Sequence, residues 1–340
     1  LRVIVPVGNY ALFALTGKGK VLGLSSNGSI GITSARGYVY NWENAPHLDL
    51  KGVWVLPTLH PAAVLRQPSW RRRFFADWEK IKRFYDGITG VAPAVFPPEY
   101  NIIFAALSPN RAKSWVKACV QEAEALAVDI ETWGDSISCV GFSFDGENAC
   151  VFPLLSKNDK ETFFDVVKVL CESGVPKILH NGHYDIYWLK QAGINVQAFT
   201  WDTLCMQHVL DPFDEHSLEY LASLYLFCRY WKDMVRKEVD IGNKLFPPQV
   251  VWEYNGIDAC NTFKLFRILR EKLESAGRFL TYYNLYLPLF SAVTELMQHG
   301  IRIDTKQMAK RQKELKGRCL ELRKRLAELA GEDLFARKDF

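Results

Sequence analysis

No run of the 340-residue chain is apolar for long enough to cross a bilayer, and no basic stretch followed by a short apolar run and small residues opens it. A membrane-spanning protein and a secreted precursor are therefore not expected. The eight cysteines, Cys119, Cys139, Cys150, Cys171, Cys205, Cys228, Cys260 and Cys319, are scattered, with no Cys-x-x-Cys pair. That pattern excludes a zinc ribbon or a disulfide-stapled fold and suits reduced thiols in a cytosol-like compartment. Histidine is equally sparse, seven in all. His180, His183 and His216 fall at no metal-ligand spacing with cysteine or with one another, and they read as structural residues or neighbours of a site. The chain opens with leucine inside a strand-like run, Arg2 to Gly8, and is expected to begin within a domain.

Apolar residues are plentiful. They make up 49% of the chain, enough to bury more than one core, so two or three domains are expected. The net charge of +4 conceals an uneven distribution: residues 1–90 balance at +7, 91–285 at −7 and 286–340 at +4. An acidic middle between basic flanks suits a metal-dependent centre whose neighbours hold a phosphate backbone. Ordinary solvated surfaces on the flanks give the same count.

The most informative residues are acids. Asp129 and Glu131 flank Ile130 at the end of the apolar run Ala125-Leu126-Ala127-Val128. On a strand, positions i and i+2 share a face, so both carboxylates project from one spot at the edge of a buried sheet. Asp185 follows in His180-Asn181-Gly182-His183-Tyr184-Asp185, between the strand-like Lys177-Ile178-Leu179 and a helical run, which places it in a first helical turn. Asp258 closes Tyr254-Asn255-Gly256-Ile257-Asp258, where four-residue spacing puts a phenol and a carboxylate on one helix face. Four carboxylates at one place repel unless hard divalent cations sit among them. Singly, each has an ordinary reading: a strand end, a helix cap, a solvated helix face. Asp202, just before Thr203 and a helical run, reads as such a cap. Together the acids ask for metal.

The motifs Asp-x-Glu (Asp129, Glu131), Asn-x-x-x-Asp (Asn181, Asp185) and Tyr-x-x-x-Asp (Tyr254, Asp258), with Trp201-Asp202-Thr203 and His216-Ser217-Leu218 between them, resemble the DnaQ-like 3′–5′ exonucleases with four acids and a tyrosine, over roughly residues 100–280. The resemblance implies an RNase H-like α/β domain, a mixed sheet flanked by helices, and two divalent ions, Mg²⁺ or Mn²⁺. It further implies that Asp129 bridges the ions, Glu131 and Asp258 complete one site, Asp185 holds the second and Tyr254 orients the attacking water. Asn181 would bond a substrate phosphate or sugar. Trp133 either stacks on the terminal base or packs on the adjoining turn.

Two further stretches carry weaker resemblances. The run Pro57-Thr58-Leu59-His60-Pro61 to Arg66, with Gly31-Ile32-Thr33 upstream and Trp70 to Trp78 downstream, resembles the second half of family 4 uracil-DNA glycosylases. By that resemblance His60 would bond a uracil carbonyl and Arg66 would lie in a loop that enters the duplex. The Gly-Glu-x-Pro-Gly motif and iron–sulfur cysteines of that family are absent, so no glycosylase activity is expected. Arg71, Arg72 and Arg73 either contact phosphate or begin a solvated helix. Glu295 to Asp304 and the charged, leucine-bearing helix after it resemble the passage from exonuclease to polymerase in family A DNA polymerases.

These readings divide the chain into a partial glycosylase-like α/β domain (1–88), a Pro-bearing linker (89–100), the exonuclease (101–285) and a helical polymerase entry (286–340). Strands are expected near 3–7, 52–56, 101–107, 125–131, 137–144, 148–153 and 177–180, then mainly helices to about 277. The expected activity is metal-dependent hydrolysis at single-stranded DNA 3′ ends, in the cytoplasm of a bacterial or phage-infected cell, with a polymerase domain beyond the C-terminus, no membrane partner and the oligomeric state open. The alternatives are an RNase D-like RNA 3′-end exonuclease and a catalytically silent DNA-binding scaffold.

Overall fold

A computed structural model of the chain describes residues 3–16, 31–41, 52–232, 234 and 248–331. Two compact units result, residues 1–294 and 295–340. The first unit opens with β1 (Val3–Ile4), α1 (Asn9–Thr16), α2 (Ile32–Ala35), β2 (Tyr40–Asn41) and β3 (Trp54–Val55). The three strands form a small sheet in the order β1-β3-β2, with β1 parallel and β2 antiparallel to β3. Next come α3 (Pro61–Arg66), begun by a proline whose fixed φ suits a first turn, and α4 (Arg71–Ile88), which buries Ile81 and Phe84 under the sheet. The segment after α4 turns back onto it: Phe96 packs edge-on against Phe84 and beside Trp54.

The larger sheet comprises β4 (Asn101–Phe104), β5 (Leu126–Trp133), β6 (Ser136–Ser143), β7 (Asn148–Pro153), β8 (Lys177–Leu179) and β9 (Phe199–Asp202), in the order β4-β7-β6-β5-β8-β9. The meander β5-β6-β7 is antiparallel, whereas β4 joins β7, β8 joins β5 and β9 joins β8 in parallel. Helices α5 (Pro109–Glu122), α6 (Lys157–Glu172), α7 (His183–Gln191), α8 (Thr203–Leu210), α9 (Leu218–Tyr225) and α10 (Pro248–Ser275) cover the sheet. This is the mixed α/β architecture expected. Strand β9 was not; Phe199-Thr200-Trp201-Asp202 is short and runs straight into α8, so its sequence carries no two-residue alternation to betray it.

Alternation along β5 decides where the acids go. Leu126, Val128 and Ile130 enter one apolar cluster with Trp115 of α5 and Val167 and Leu170 of α6. Ala127 faces the opposite way, into the cluster that α10 joins through Phe263, Leu265 and Leu269. Asp129 and Glu131 share Ala127's parity and therefore lie under α10. That second cluster is continuous with Leu12, Tyr38, Val55 and Leu59 of the N-terminal segment. Helix α10 crosses β5, β6 and β7 closely. A Cβ at Gly256 would collide with Ile102 of β4, so glycine sets that approach.

Helices α11 (Phe279–Thr281) and α12 (Leu287–His299), joined by the π-turn Tyr282–Tyr286, follow. The second unit holds α13 (Thr305–Ala330), whose N-cap Asp304 accepts from the amides of Lys306 and Gln307 and whose C-cap Gly331 has φ 69°. Its apolar stripe of Met308, Leu315, Leu322 and Leu329 is exposed.

Candidate metal centre

Strand β5 is long and its parallel neighbour β8 short: they pair only at Leu126 with Lys177 and Ala127 with Ile178. Beyond Leu179 the chain leaves the sheet through His180-Asn181-Gly182, with Asn181 in the left-handed region at φ 58°, a conformation asparagine tolerates. Strand β5 is left there with a backbone amide facing no strand. Asp185, buried in the first turn of α7, supplies the acceptor: its Oδ1 takes the Ile130 N–H at 3.1 Å. The third acid is thus bonded to the residue between the first two.

The fourth arrives from above. Asp258 on α10 offers an oxygen that lies, with one from Asp129 and one from Glu131, in a group whose members are all within 4.8 Å of one another. Asn255, three residues earlier on α10, donates from Nδ2 to Asp129 Oδ2 at 2.7 Å and fixes that carboxylate. Space for Asn255 comes from β6, where Gly141 stands opposite Asp129 in register and a Cβ would strike the Asn255 amide. Asp258 is gripped at both oxygens by consecutive residues: the Trp231 indole N–H donates to Oδ1, and the Lys232 ammonium lies 2.8 Å from Oδ2. Lys232 also donates to the Tyr254 hydroxyl.

Desolvation governs the electrostatics. Burial first, then the charges of Asp258, Asp185 and Glu131, raise the Asp129 carboxyl far above its ordinary range. Glu131 is pushed to about 8 by burial and Asp258, with Lys232 opposing. Asp185 is pushed to about 7 by burial, with the Ile130 amide opposing. The Tyr254 phenol is raised by burial and then by Asp258, and stays protonated at any physiological pH. Such a set ionises together only beside added positive charge. Its all-oxygen donors fit a hard divalent cation.

Asn181 is exposed on the turn before α7, and Trp133 is 53% exposed at the end of β5. His60 is the N-cap of α3, its Nδ1 accepting from the Ala62 N–H, and Arg66 is exposed at that helix's end. Among the described residues no hydrogen bond or ion pair joins His60 or Arg66 to the acids. The three histidines hold structure: His180 meets Thr203 Oγ1 at 2.8 Å, His183 meets Thr294 Oγ1 at 2.6 Å and stacks on Phe290, and His216 meets the Asp211 carbonyl at 2.8 Å. Asp202 caps α8 as expected and also accepts from the Gly182 N–H. Asn255, Gly141, Trp231 and Lys232 were not anticipated. Asn255 sits beside Tyr254 inside the motif, which is the one local hint; the other three reach the site only through tertiary packing.

Residues 108–274 match the family model described as 3′-5′ exonuclease. DNA polymerase I of Pseudomonas aeruginosa is 30% identical over 250 residues, covering 65% of this chain and 26% of the relative. DNA polymerase I of Borreliella burgdorferi is 25% identical over 197 residues, covering 54% and 21%. The DNA polymerase of Bacillus phage SP01 is 22% identical over 340 residues, covering 89% and 35%. The chain thus spans about a fifth to a third of the length of the curated relatives it matches. Over residues 108–274 the chain is thus similar to 3′-5′ exonucleases, on a mixed α/β fold.

Proposed function

We propose that Asp129, Glu131, Asp185 and Asp258 bind two divalent ions, Mg²⁺ or Mn²⁺, and that the protein hydrolyses the last phosphodiester at the 3′ end of single-stranded DNA, releasing 5′-mononucleotides. The observation that carries this reading is convergence. A strand and a helix 127 residues later bring three carboxylate oxygens within 4.8 Å of one another, and a second helix bonds a fourth acid to the intervening Ile130. Ions held there would supply hydroxide at neutral pH and offset charge on the attacking and leaving oxygens.

The chain's own residues divide the remaining work. Asp129, held by Asn255, would hold the ions together with Glu131, Asp258 and Asp185. Tyr254, kept protonated, orients the attacking water by hydrogen bonding rather than by taking a proton. Asn181 bonds a phosphate or sugar of the end nucleotide, and the exposed Trp133 indole offers a face to its base. The names of the relatives, all DNA polymerases, favour DNA as substrate. We read residues 1–88 as a glycosylase-like half without glycosylase activity, 89–100 as a linker, 101–285 as the exonuclease and 286–340 as the helical entry to a polymerase-like region. His60 and Arg66 belong to the first of these and stand outside the chemistry.

Digestion of a 5′-labelled DNA strand and its RNA counterpart with Mg²⁺ tests this function. A ladder shortening from the 3′ end is expected on DNA, with loss of about 1,000-fold or more in Asp129→Ala and Asp258→Ala, since each removes a ligand of the centre. Ladders equal to the parent's in both variants would sink the nuclease reading. Faster cleavage of RNA would move it to an RNase D-like role, and binding without cleavage under any metal would leave a scaffold.

A further inference from the structure

We propose that Lys232 is a positioning residue of this centre: without metal its ammonium holds the Asp258 oxygen that a divalent ion would take, and it ties the Tyr254 hydroxyl to that acid. The inference rests on the hydrolytic reading above and adds a residue that none of its three motifs contains.

The geometry is specific. The Lys232 ammonium lies 2.8 Å from Asp258 Oδ2, donates to the Tyr254 hydroxyl and stands 4.4 Å from the centre of the Tyr254 ring. Its side chain is only 16% exposed, so salt screens the contact little. Among the described residues it is the one cation in ion-pair contact with any of the four acids. The neighbouring Trp231 indole fixes the other Asp258 oxygen, so one short segment sets both the carboxylate and the phenol.

Two consequences follow from elementary electrostatics. An ammonium and a divalent ion repel, so an ion can engage Oδ2 only as Lys232 withdraws, and the lysine opposes metal binding. Lysine carries its charge on a flexible four-carbon stem, which lets it leave Oδ2 and still bond the Tyr254 hydroxyl. Removing Lys232 therefore tightens the metal and loosens the tyrosine. A residue that merely supports the fold would do neither.

Full-length chains carrying Lys232→Gln, Lys232→Arg and Tyr254→Phe test this. Mn²⁺ affinity, measured by calorimetry without substrate, is expected to rise roughly tenfold in Lys232→Gln and to stay near the parent's in Lys232→Arg. At saturating Mn²⁺, kcat on a DNA 3′ end is expected to fall about 10- to 100-fold in Lys232→Gln with KM within about twofold, and to recover in part in Lys232→Arg. In a Tyr254→Phe background the Lys232→Gln effect on kcat should vanish, because its object is gone. Melting in chelator reports whether each variant folds, and Lys232→Arg carries the comparison if Lys232→Gln does not. Unchanged Mn²⁺ affinity, unchanged kcat or an undiminished effect in the Tyr254→Phe background overturns the proposal. If the parent cleaves no 3′ end with any metal, the hydrolytic reading falls, and the Mn²⁺ affinities alone decide whether Lys232 competes for Asp258.

Discussion

Among the described residues of the first unit two clusters of charge are buried, and they are built on opposite plans. Under the N-terminal sheet, Arg36 Nε donates to both oxygens of Asp77 at 2.9 Å, its Nη1 reaches Ser223 Oγ at 3.0 Å, and Thr58 Oγ1 donates to Asp77 at 2.9 Å. Beside them the buried Lys80 ammonium is capped by the carbonyls of Gly37, Ser223 and Leu226. Each charged group there finds its hydrogen-bond partners within the protein, Arg36 in Asp77 and Lys80 in carbonyl oxygens. Under α10, among the described residues, Asp129, Glu131 and Asp258 lie together and one lysine, Lys232, pairs with Asp258. The contrast separates two uses of buried charge. A cluster whose groups are all hydrogen-bonded within the protein bears its desolvation penalty in return for a fixed arrangement of chains, here locking α4 against the loop before β2 and the end of α9. An unbalanced one is completed only by something that arrives from outside.

Breaking the Arg36–Asp77 cluster should have the largest effect on stability. Asp77→Ala strands the Arg36 guanidinium and the Thr58 hydroxyl in a dry site, and urea unfolding should show a loss of about 3–5 kcal/mol. Replacing Arg36 and Asp77 together by apolar residues should cost less than the two single changes summed. A loss under about 1 kcal/mol for Asp77→Ala would mean that water already reaches the pair, and the contrast would fail.

A smaller effect sharpens the other side. Gly141→Ala drives a Cβ into the Asn255 amide and frees the Asp129 carboxylate that Asn255 holds. Overpacking of this kind costs about 1–3 kcal/mol. Activity should fall further than that stability loss alone explains, read as kcat at saturating Mn²⁺. Equal activity at equal folded fraction would show that Asn255 does not set Asp129.

The smallest effect is a slope. In chelator, Asp185 at about 7 and Glu131 at about 8 keep protons that the unfolded chain has released from about pH 4 upward. The folded state therefore binds more protons than the unfolded one across that window, and stability falls as pH rises from about 5 to about 8. Melting temperatures should drop accordingly, recover with Mn²⁺ and vary less with pH in Glu131→Gln. A flat profile in the parent would mean these carboxyls are already charged, and that the lysine suffices to balance them.

Two pairs of neighbours were legible in the sequence because local periodicity fixes their faces: two-residue spacing for Asp129 and Glu131, four-residue spacing for Tyr254 and Asp258. Asp202 was legible as a cap because it stands just before Thr203 and a helical run. What supports them was not. Gly141 matters through register with Asp129, and Lys232 through a segment that returns to α10 from elsewhere in the chain, neither of which any spacing encodes. Strand β9 escaped because its four residues run directly into a helix. Nor does a run of prolines near residues 93–98 tell that Phe96 packs back on Trp54 and Phe84.

The unmatched amide of β5 carries one more consequence. Because Asp185 fills a vacant rung of the strand ladder as well as joining the acid cluster, deleting its side chain removes an acceptor from the backbone along with a charge. Asp185→Ala would then confuse a frayed strand with lost chemistry, whereas Asp185→Asn leaves the rung occupied by a carbonyl oxygen. Any sliding of α7 along the sheet would be felt at the same atom, so the helix's seat and the placing of this acid share a single oxygen.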